Sequence, residues 1–262
     1  MGKLIAGGDS FTYGSELEDC YIISDTSPPR EVYSKLTYSA LISNELGLDY
    51  VCVAYPGFSN NAIRRTVMNA CTEHVDVELV LVTWSFPGRY EFRFDEQWEQ
   101  ISPWSITDNA EETIKKDFHA DNPIVFQHHV EKLKREKELG ITEFAKTFYS
   151  RIGGHEYWEV YNSLIDIIVL QRFLEQQQIP YLFTGVDNCL LSNVMKHQDI
   201  TINTLLNQLD LKNWYWFPKE QGFYTWAKDM RFPFATTHPK EPAHIEAAHL
   251  IYEHLRYIGR LP

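Results

Sequence analysis

Leu4-Ile5-Ala6-Gly7-Gly8-Asp9-Ser10-Phe11-Thr12-Tyr13-Gly14, residues 4–14, joins a short apolar run to a turn built of Gly, Asp and Ser. The run suits a strand, and the turn then places Ser10 at that strand's carboxyl end. If a helix follows, Ser10 lies at its N-terminus, where backbone N–H groups and the helix dipole face the position an oxyanion would take. The stretch is not the GxSxG nucleophile elbow, because Thr12 stands where the second Gly is required. It is not a phosphate loop either, because the Walker Lys is missing. Gly-Asp-Ser is also an ordinary turn composition, so the stretch alone yields a strand, a turn and a candidate nucleophile.

Working outward, further short runs rich in Val, Ile and Leu occur at Tyr50–Ala54, Leu79–Thr83 and Tyr181–Gly185. Nearly continuous apolar runs of this length suit parallel strands covered on both faces. Between them lie helical patterns. Glu31–Leu46 ends at Gly47, a C-cap signal; Ser59–His74 opens on a Ser-Asn-Asn cap; Tyr157–Gln178 ends before Pro180; Glu241–Tyr257 follows Pro239. The alternation predicts a three-layer α/β/α, flavodoxin-like fold with a mostly parallel sheet of about five strands. Residues 86–154 show no clear strand and read as a helical insertion between strands three and four, over the sheet's carboxyl edge. With no repeat and no linker rich in Gly, Pro or Ser, residues 1–262 read as one domain.

Bulk properties narrow the function. The chain has 262 residues, 44% of them hydrophobic and 23% charged, enough to bury a sizeable core. A formal net charge of −12 argues against nucleic acid as a partner, since phosphate contacts need a basic face. The basic cluster Lys132–Lys137 alternates with Glu131, Glu136 and Glu138 and reads as a solvated helix face. Cys20, Cys52, Cys71 and Cys189 show no CxxC pair and no metal-ligand spacing, so no metal and no cofactor is expected. The N-terminus is too short in apolar residues for a signal peptide, and no stretch reaches bilayer length. The expectation is a soluble, cytoplasmic chain with no membrane partner.

A serine needs a neighbouring base to become a nucleophile at neutral pH. Of the ten histidines, His238, followed by Pro239 and the last helical pattern, is placed to swing over the sheet edge toward Ser10. His128, His129, His244, His249 and His254 sit in helical patterns and read as helix-face residues.

Taken together, these features resemble the SGNH (GDSL) hydrolase superfamily. Its first block, Gly-Asp-Ser-x-Thr-x-Gly, is matched from Gly8 to Gly14 without a gap; Tyr55-Pro56-Gly57-Phe58-Ser59-Asn60 is similar to its second, and His238-Pro239 to its last. The resemblance runs through nearly the whole chain, with only the first block highly specific. It implies an acyl hydrolase in which Ser10 attacks an ester, His238 shuttles the proton, and the N–H groups of Ser10 and Gly57 hold the oxyanion. Family habit and the aromatic content extend this to an O-acetylated carbohydrate, a small-molecule or glycan ester, as substrate. Acyl transfer would use the same residues.

Two departures stand out. The third block usually supplies an oxyanion-binding Asn, but the corresponding stretch is Thr83-Trp84-Ser85-Phe86; Ser85, or Asn60 next to the Gly57 turn, could donate instead. The family also places an Asp shortly before the His, where this chain has Ala235 and Thr236. A backbone carbonyl, Thr236 or the more distant Asp229 could orient His238, so a Ser–His dyad is the minimal expectation. Arg89, with Glu91 close behind, could meet a carboxylate or phosphate on a substrate, or form a surface ion pair. Trp84 could line the pocket, as could Trp214, Trp216 and Trp226. The departures also admit a rival reading, a catalytically impaired binding or structural module of the same fold, one that could recognise a glycan with its Trp-rich loops. The arrangement of Ser10, His238 and whatever lies behind the histidine discriminates the two.

Overall fold

The computed structural model describes residues 2–23, 30–106, 134–197 and 199–261. In chain order the elements are β1 (Lys3–Gly7), α1 (Ser10–Tyr13), β2 (Tyr21–Ile23), β3 (Arg30–Val32), α2 (Tyr38–Glu45), β4 (Asp49–Cys52), α3 (Asn60–Glu73) and β5 (Val77–Trp84). They continue as β6 (Tyr90–Phe94), β7 (Gln97–Ile101), α4 (Ile141–Phe148), α5 (Glu156–Gln177), β8 (Tyr181–Gly185), α6 (Cys189–Lys196), α7 (Ile200–Leu206), α8 (Phe223–Asp229) and α9 (Glu241–Tyr257).

The central sheet has the order β4-β1-β5-β8, with every pair parallel. This is the order of a flavodoxin-like doubly wound sheet, in which ligands bind beyond the strands' carboxyl ends. Alternate residues of each strand face opposite layers. Ile5, Val80, Val82, Trp84 and Phe183 pack with α3 and α5, whereas Leu4, Ala6, Leu79, Leu81 and Leu182 pack with α2, α8 and α9. Both faces are covered, which is why the strands read as continuous apolar runs. Each large side chain fully buried here contributes roughly 1.5–3 kcal/mol.

Four expectations need correction. The described sheet has four strands rather than about five. At the place of a fifth, the chain makes one parallel bridge, Phe183 with Trp214, and Tyr215 N donates to Phe183 O at 2.8 Å. Lys219 and Glu220 then adopt positive φ (67° and 58°), and the chain folds back through an antiparallel Phe217–Gln221 bridge.

The helix expected over Glu31–Leu46 begins only at Tyr38. Thr37 caps it by accepting from Ala40 N, while Lys35 N is held by Asp19 Oδ2 at 2.6 Å and residues 30–32 pair antiparallel with β2.

The insertion is not simply helical either: its described part opens with the antiparallel hairpin β6–β7. Phe94 pairs with Gln97 across a two-residue turn, Asp95-Glu96, in which both residues have positive φ (41° and 67°). Such turns usually announce themselves by Asn-Gly or Asp-Gly, and Asp-Glu carries no such signal. The hairpin and α4 share a small core of their own around Tyr90, Ile101, Ile141, Ala145 and Tyr149. Residues 134–138 are helical, with Lys134, Arg135 and Lys137 exposed; His128, His129 and Lys132 lie outside the described residues. No described helix is long and apolar enough to cross a membrane.

His244, expected on a helix face, is on the inward face of α9 and 1% exposed, where its Nδ1 accepts from Tyr38 N at 3.3 Å. Burial, with a smaller push from the charge of His238, lowers its pKa to about 3 from an ordinary 6.5. Between those values the unfolded chain binds a proton that the folded chain refuses, so stability rises with pH there and is lost as pH falls from 6.5 toward 3. The slope from this one group is at most about 1.4 kcal/mol per pH unit. Urea unfolding from pH 7 to 4 is expected to show it, and His244→Asn, which keeps an acceptor, is expected to remove it.

Candidate active site

The turn after β1 is shaped by its own residues. Asp9 caps α1, its Oδ1 accepting from Phe11 N at 3.1 Å, and Gly14 ends the single turn in the left-handed region at φ +82°. A Cβ at Gly14 would also lie 2.4 Å from that of Ser34, so the block's last Gly is required on both counts. Ser10, first residue of α1 and 8% exposed, is thereby held at the carboxyl edge of the sheet.

His238 arrives from the other end of the chain. A short turn, Ala235 N donating to His238 O at 2.9 Å, precedes α9 and carries the imidazole over the edge. Its Nε2 lies 2.8 Å from Ser10 Oγ. On the far side, Nδ1 lies 2.7 Å from Glu16 Oε2. An ionised carboxylate only accepts, so Nδ1 carries the proton and the Nε2 lone pair faces the Ser10 hydroxyl. The Phe11 ring lies 4.7 Å from the imidazole centroid and limits its swing.

Glu16 thus occupies the place of the acid absent from positions 235 and 236. The same carboxylate accepts from the backbone N–H groups of Thr236, Thr237 and His238 (3.2, 2.9 and 3.0 Å) and from Thr237 Oγ1 (3.1 Å). Burial works to raise its pKa, but the bonds from His238 and Thr237 and the charge of His238 outweigh it and hold the carboxyl well below its ordinary range. Glu16 also has φ +68°, uncommon for a non-glycine residue and a form of strain that gathers at functional sites. Of the two side chains expected there, Asp229 is bonded to Gln221 and paired with Lys219, and Thr236 contributes its N–H to Glu16.

Sequence reasoning missed Glu16. It is one of three acidic residues in Glu16-Leu17-Glu18-Asp19, and the only available hint was its closeness in sequence to Ser10. Nothing local couples it to residue 238.

The Gly57 turn stands beside this pair. Tyr55 N donates to Gly8 O at 3.4 Å, and Ser59 caps α3. From the hairpin, Gln100 Oε1 accepts from Ser59 N and Ser59 Oγ (3.0 and 2.9 Å), so the insertion clamps the start of α3. Gly57 has φ +84° with open space where a Cβ would go. Among the described residues, neither Ser10 N nor Gly57 N has a hydrogen-bond acceptor.

The remaining candidates are placed differently from expectation. Ser85 donates its hydroxyl to Asp9 Oδ2 at 2.6 Å, not toward an oxyanion. Asn60 accepts from Ser85 N (2.8 Å) and donates to Ser163 Oγ (3.0 Å), so its amide bridges α3, β5's end and α5. Arg89 pairs with the fully buried Asp9 at 2.9 Å rather than with Glu91. Glu91 instead takes two bonds from Arg65 (2.7 and 2.6 Å). Trp84 does not line the site: it is 2% exposed and packs edge-on against Phe183 in the core. Trp214 and Trp226 are likewise buried, and Trp216 stacks on Trp214.

No protein-family model and no curated protein sequence matches the chain. Among solved structures it is similar to an acetyl xylan esterase from the rumen bacterium Butyrivibrio proteoclasticus, at 12% identity over 100% of this chain and 65% of that one, TM-score 0.49. It is also similar to a lipolytic protein of the G-D-S-L family from Desulfitobacterium hafniense (9% identity, 97% and 100% covered, TM-score 0.38). A third is a carbohydrate esterase family 2 enzyme with a carbohydrate-binding domain from Corynascus thermopiles (10%, 98% and 66% covered, TM-score 0.46). The chain spans about two thirds of the length of both carbohydrate esterases.

Proposed function

We propose that the protein is a serine ester hydrolase in which Ser10, His238 and Glu16 form a catalytic triad. The observation that carries this reading is the unbroken line of hydrogen bonds from Ser10 Oγ through His238 to Glu16, at 2.8 and 2.7 Å. Ser10 Oγ attacks the acyl carbon as His238 Nε2 takes its proton, and the alkoxide formed on the carbonyl oxygen rests on the N–H groups of Ser10 and Gly57. The leaving alcohol departs with the proton from Nε2. Water, deprotonated by the same nitrogen, then releases the acid from Ser10. Glu16 keeps Nδ1 protonated and stabilises the imidazolium in both steps.

For the substrate we infer a short acyl ester carried on a carbohydrate. Tyr55, on the Gly57 turn, is 44% exposed and braced edge-on by Tyr13 at 5.7 Å, an aromatic face of the kind that stacks on sugar rings. The rival reading, a catalytically impaired module, rested on two departures. Glu16 beside His238 speaks against the one, the missing orienting acid, while the other stands, since Ser85 and Asn60 are bonded elsewhere.

Hydrolysis of p-nitrophenyl acetate and butyrate, with mass spectrometry of the protein after a fluorophosphonate, tests the reading. The expected result is turnover of the acetate and one adduct on the peptide holding Ser10. No turnover and no adduct would overturn it. Gly57→Ala is expected to lower stability by about 1–2 kcal/mol, the cost of left-handed backbone for an alanine. With open space for the added Cβ the turn should hold and the Gly57 N–H keep its place, so kcat should change far less than stability, as thermal melts and steady-state kinetics would measure.

A further inference from the structure

We propose that Arg89 is a positioning residue that neutralises Asp9 behind the nucleophile, allowing negative charge to develop beside Ser10; this rests on the hydrolase reading above. Asp9 is fully buried, directly precedes Ser10, and through Oδ1 holds the N–H of Phe11, the residue just after it. Its carboxylate therefore sits within one turn of the oxyanion the reaction forms. Uncompensated, it would oppose that charge, because like charges repel strongly where water is excluded.

The structure supplies compensation on the opposite oxygen. Arg89 Nη1 lies 2.9 Å from Asp9 Oδ2 and 2.9 Å from Ser85 Oγ, and Ser85 Oγ donates to the same Oδ2 at 2.6 Å. The Arg89 side chain is only 17% exposed, and its guanidinium lies over the Phe86 ring, 4.7 Å from the centroid. Phe86 in turn neighbours Phe11, whose ring packs on His238. Arg89 is thus locked into the floor of the site. Ser85, at the position where the resembled family carries its oxyanion Asn, is part of the same cluster. Compensation of the Asp9 charge takes the place of one lost donor.

The test compares Arg89→Ala, Arg89→Lys, Asp9→Asn and the Asp9→Asn/Arg89→Ala double variant. The readouts are the rate of Ser10 labelling by a fluorophosphonate, kcat and KM on p-nitrophenyl acetate, and thermal melts. Arg89→Ala is expected to slow labelling and kcat about 100-fold, as for unit charges roughly 6 Å apart at an effective dielectric of about 20. KM should stay within about two-fold, since uniform substrate binding is untouched. Arg89→Lys keeps the charge and is expected to recover most of the rate. The double variant leaves no buried unpaired charge, and Asn caps a helix as well as Asp, so it should fold and react about ten-fold faster than Arg89→Ala. Wild-type rates in Arg89→Ala, a loss confined to KM, or a double variant no faster than Arg89→Ala would overturn the proposal while leaving the triad standing. A wild-type protein that is not labelled at Ser10 would remove both.

Discussion

Replacing Ser10 by Ala is expected to lower kcat for ester hydrolysis by roughly 10⁴- to 10⁶-fold, and replacing His238 by Ala by about as much. The size follows from the hydrogen bond between them. Without the imidazole the hydroxyl stays protonated at neutral pH, and without the hydroxyl the imidazole has only water to activate. The two residues act as a unit, so Ser10→Ala/His238→Ala should be no slower than either single variant. Ser10→Ala removes only a hydroxyl and its thermal melt should stay close to wild type, whereas His238→Ala also takes a partner from the Glu16 carboxylate and should melt lower. The measurement is initial rates on p-nitrophenyl acetate beside those melts. A Ser10→Ala protein as active as wild type would place the chemistry elsewhere.

Glu16→Gln is expected to produce the next largest loss, roughly 10⁴-fold in kcat, by analogy with the matching acid-to-amide change in a serine protease triad. A Gln amide can donate to Nδ1, which would put the proton on Nε2, the wrong nitrogen for accepting from Ser10. Glu16→Asp keeps the charge but draws it back by one methylene, and should retain more activity than Glu16→Gln.

The same residue bears on stability against acid. Its carboxyl is held below its ordinary value of 4.5 in the folded protein, so its contribution is present above that value and is lost as pH falls below it. Glu16→Gln should therefore unfold at lower denaturant concentration at pH 7 and show a shallower decline below about pH 4.5. The decline due to His244, which begins near pH 6.5, should be unchanged. Urea midpoints across pH 3.5–7.5 for the wild type, Glu16→Gln and His244→Asn separate the two groups.

Legibility in the sequence varied with the range of the interaction. β8 and α9 occupy the residues read from pattern alone, Tyr181–Gly185 and Glu241–Tyr257, and α3 and α5 differ from expectation by one residue at each end. These elements bury one continuous face, and their apolar spacing records it. The hairpin β6–β7 went unread because Tyr90–Ile101 mixes Arg and Glu with aromatics, and its turn uses Asp-Glu. The start of α2 was misplaced because the apolar spacing of residues 31–37 continues that of the helix, while Asp19 and Tyr13 hold the segment by bonds to Lys35 and Ser34. Trp84 looked like a pocket residue by position, but in a strand alternate side chains face opposite layers, and that of Trp84 faces α3 and α5.

The sequence by itself determined the alternation of strands and helices, the turn that presents Ser10 at the end of β1, and the position of His238 just ahead of the last helix. Each follows from residues within a few positions of one another, through backbone propensity, capping and the spacing of apolar side chains. Only the tertiary structure decided that Glu16 stands behind a histidine 222 residues away and that Asp9 pairs with Arg89, 80 residues on, leaving Glu91 to Arg65. Carboxylates and cations outnumber the pairs they can form, and local sequence is indifferent to the choice. It is made when the sheet brings particular loops to one edge, where a charge shut away from water needs whichever partner has arrived there with it.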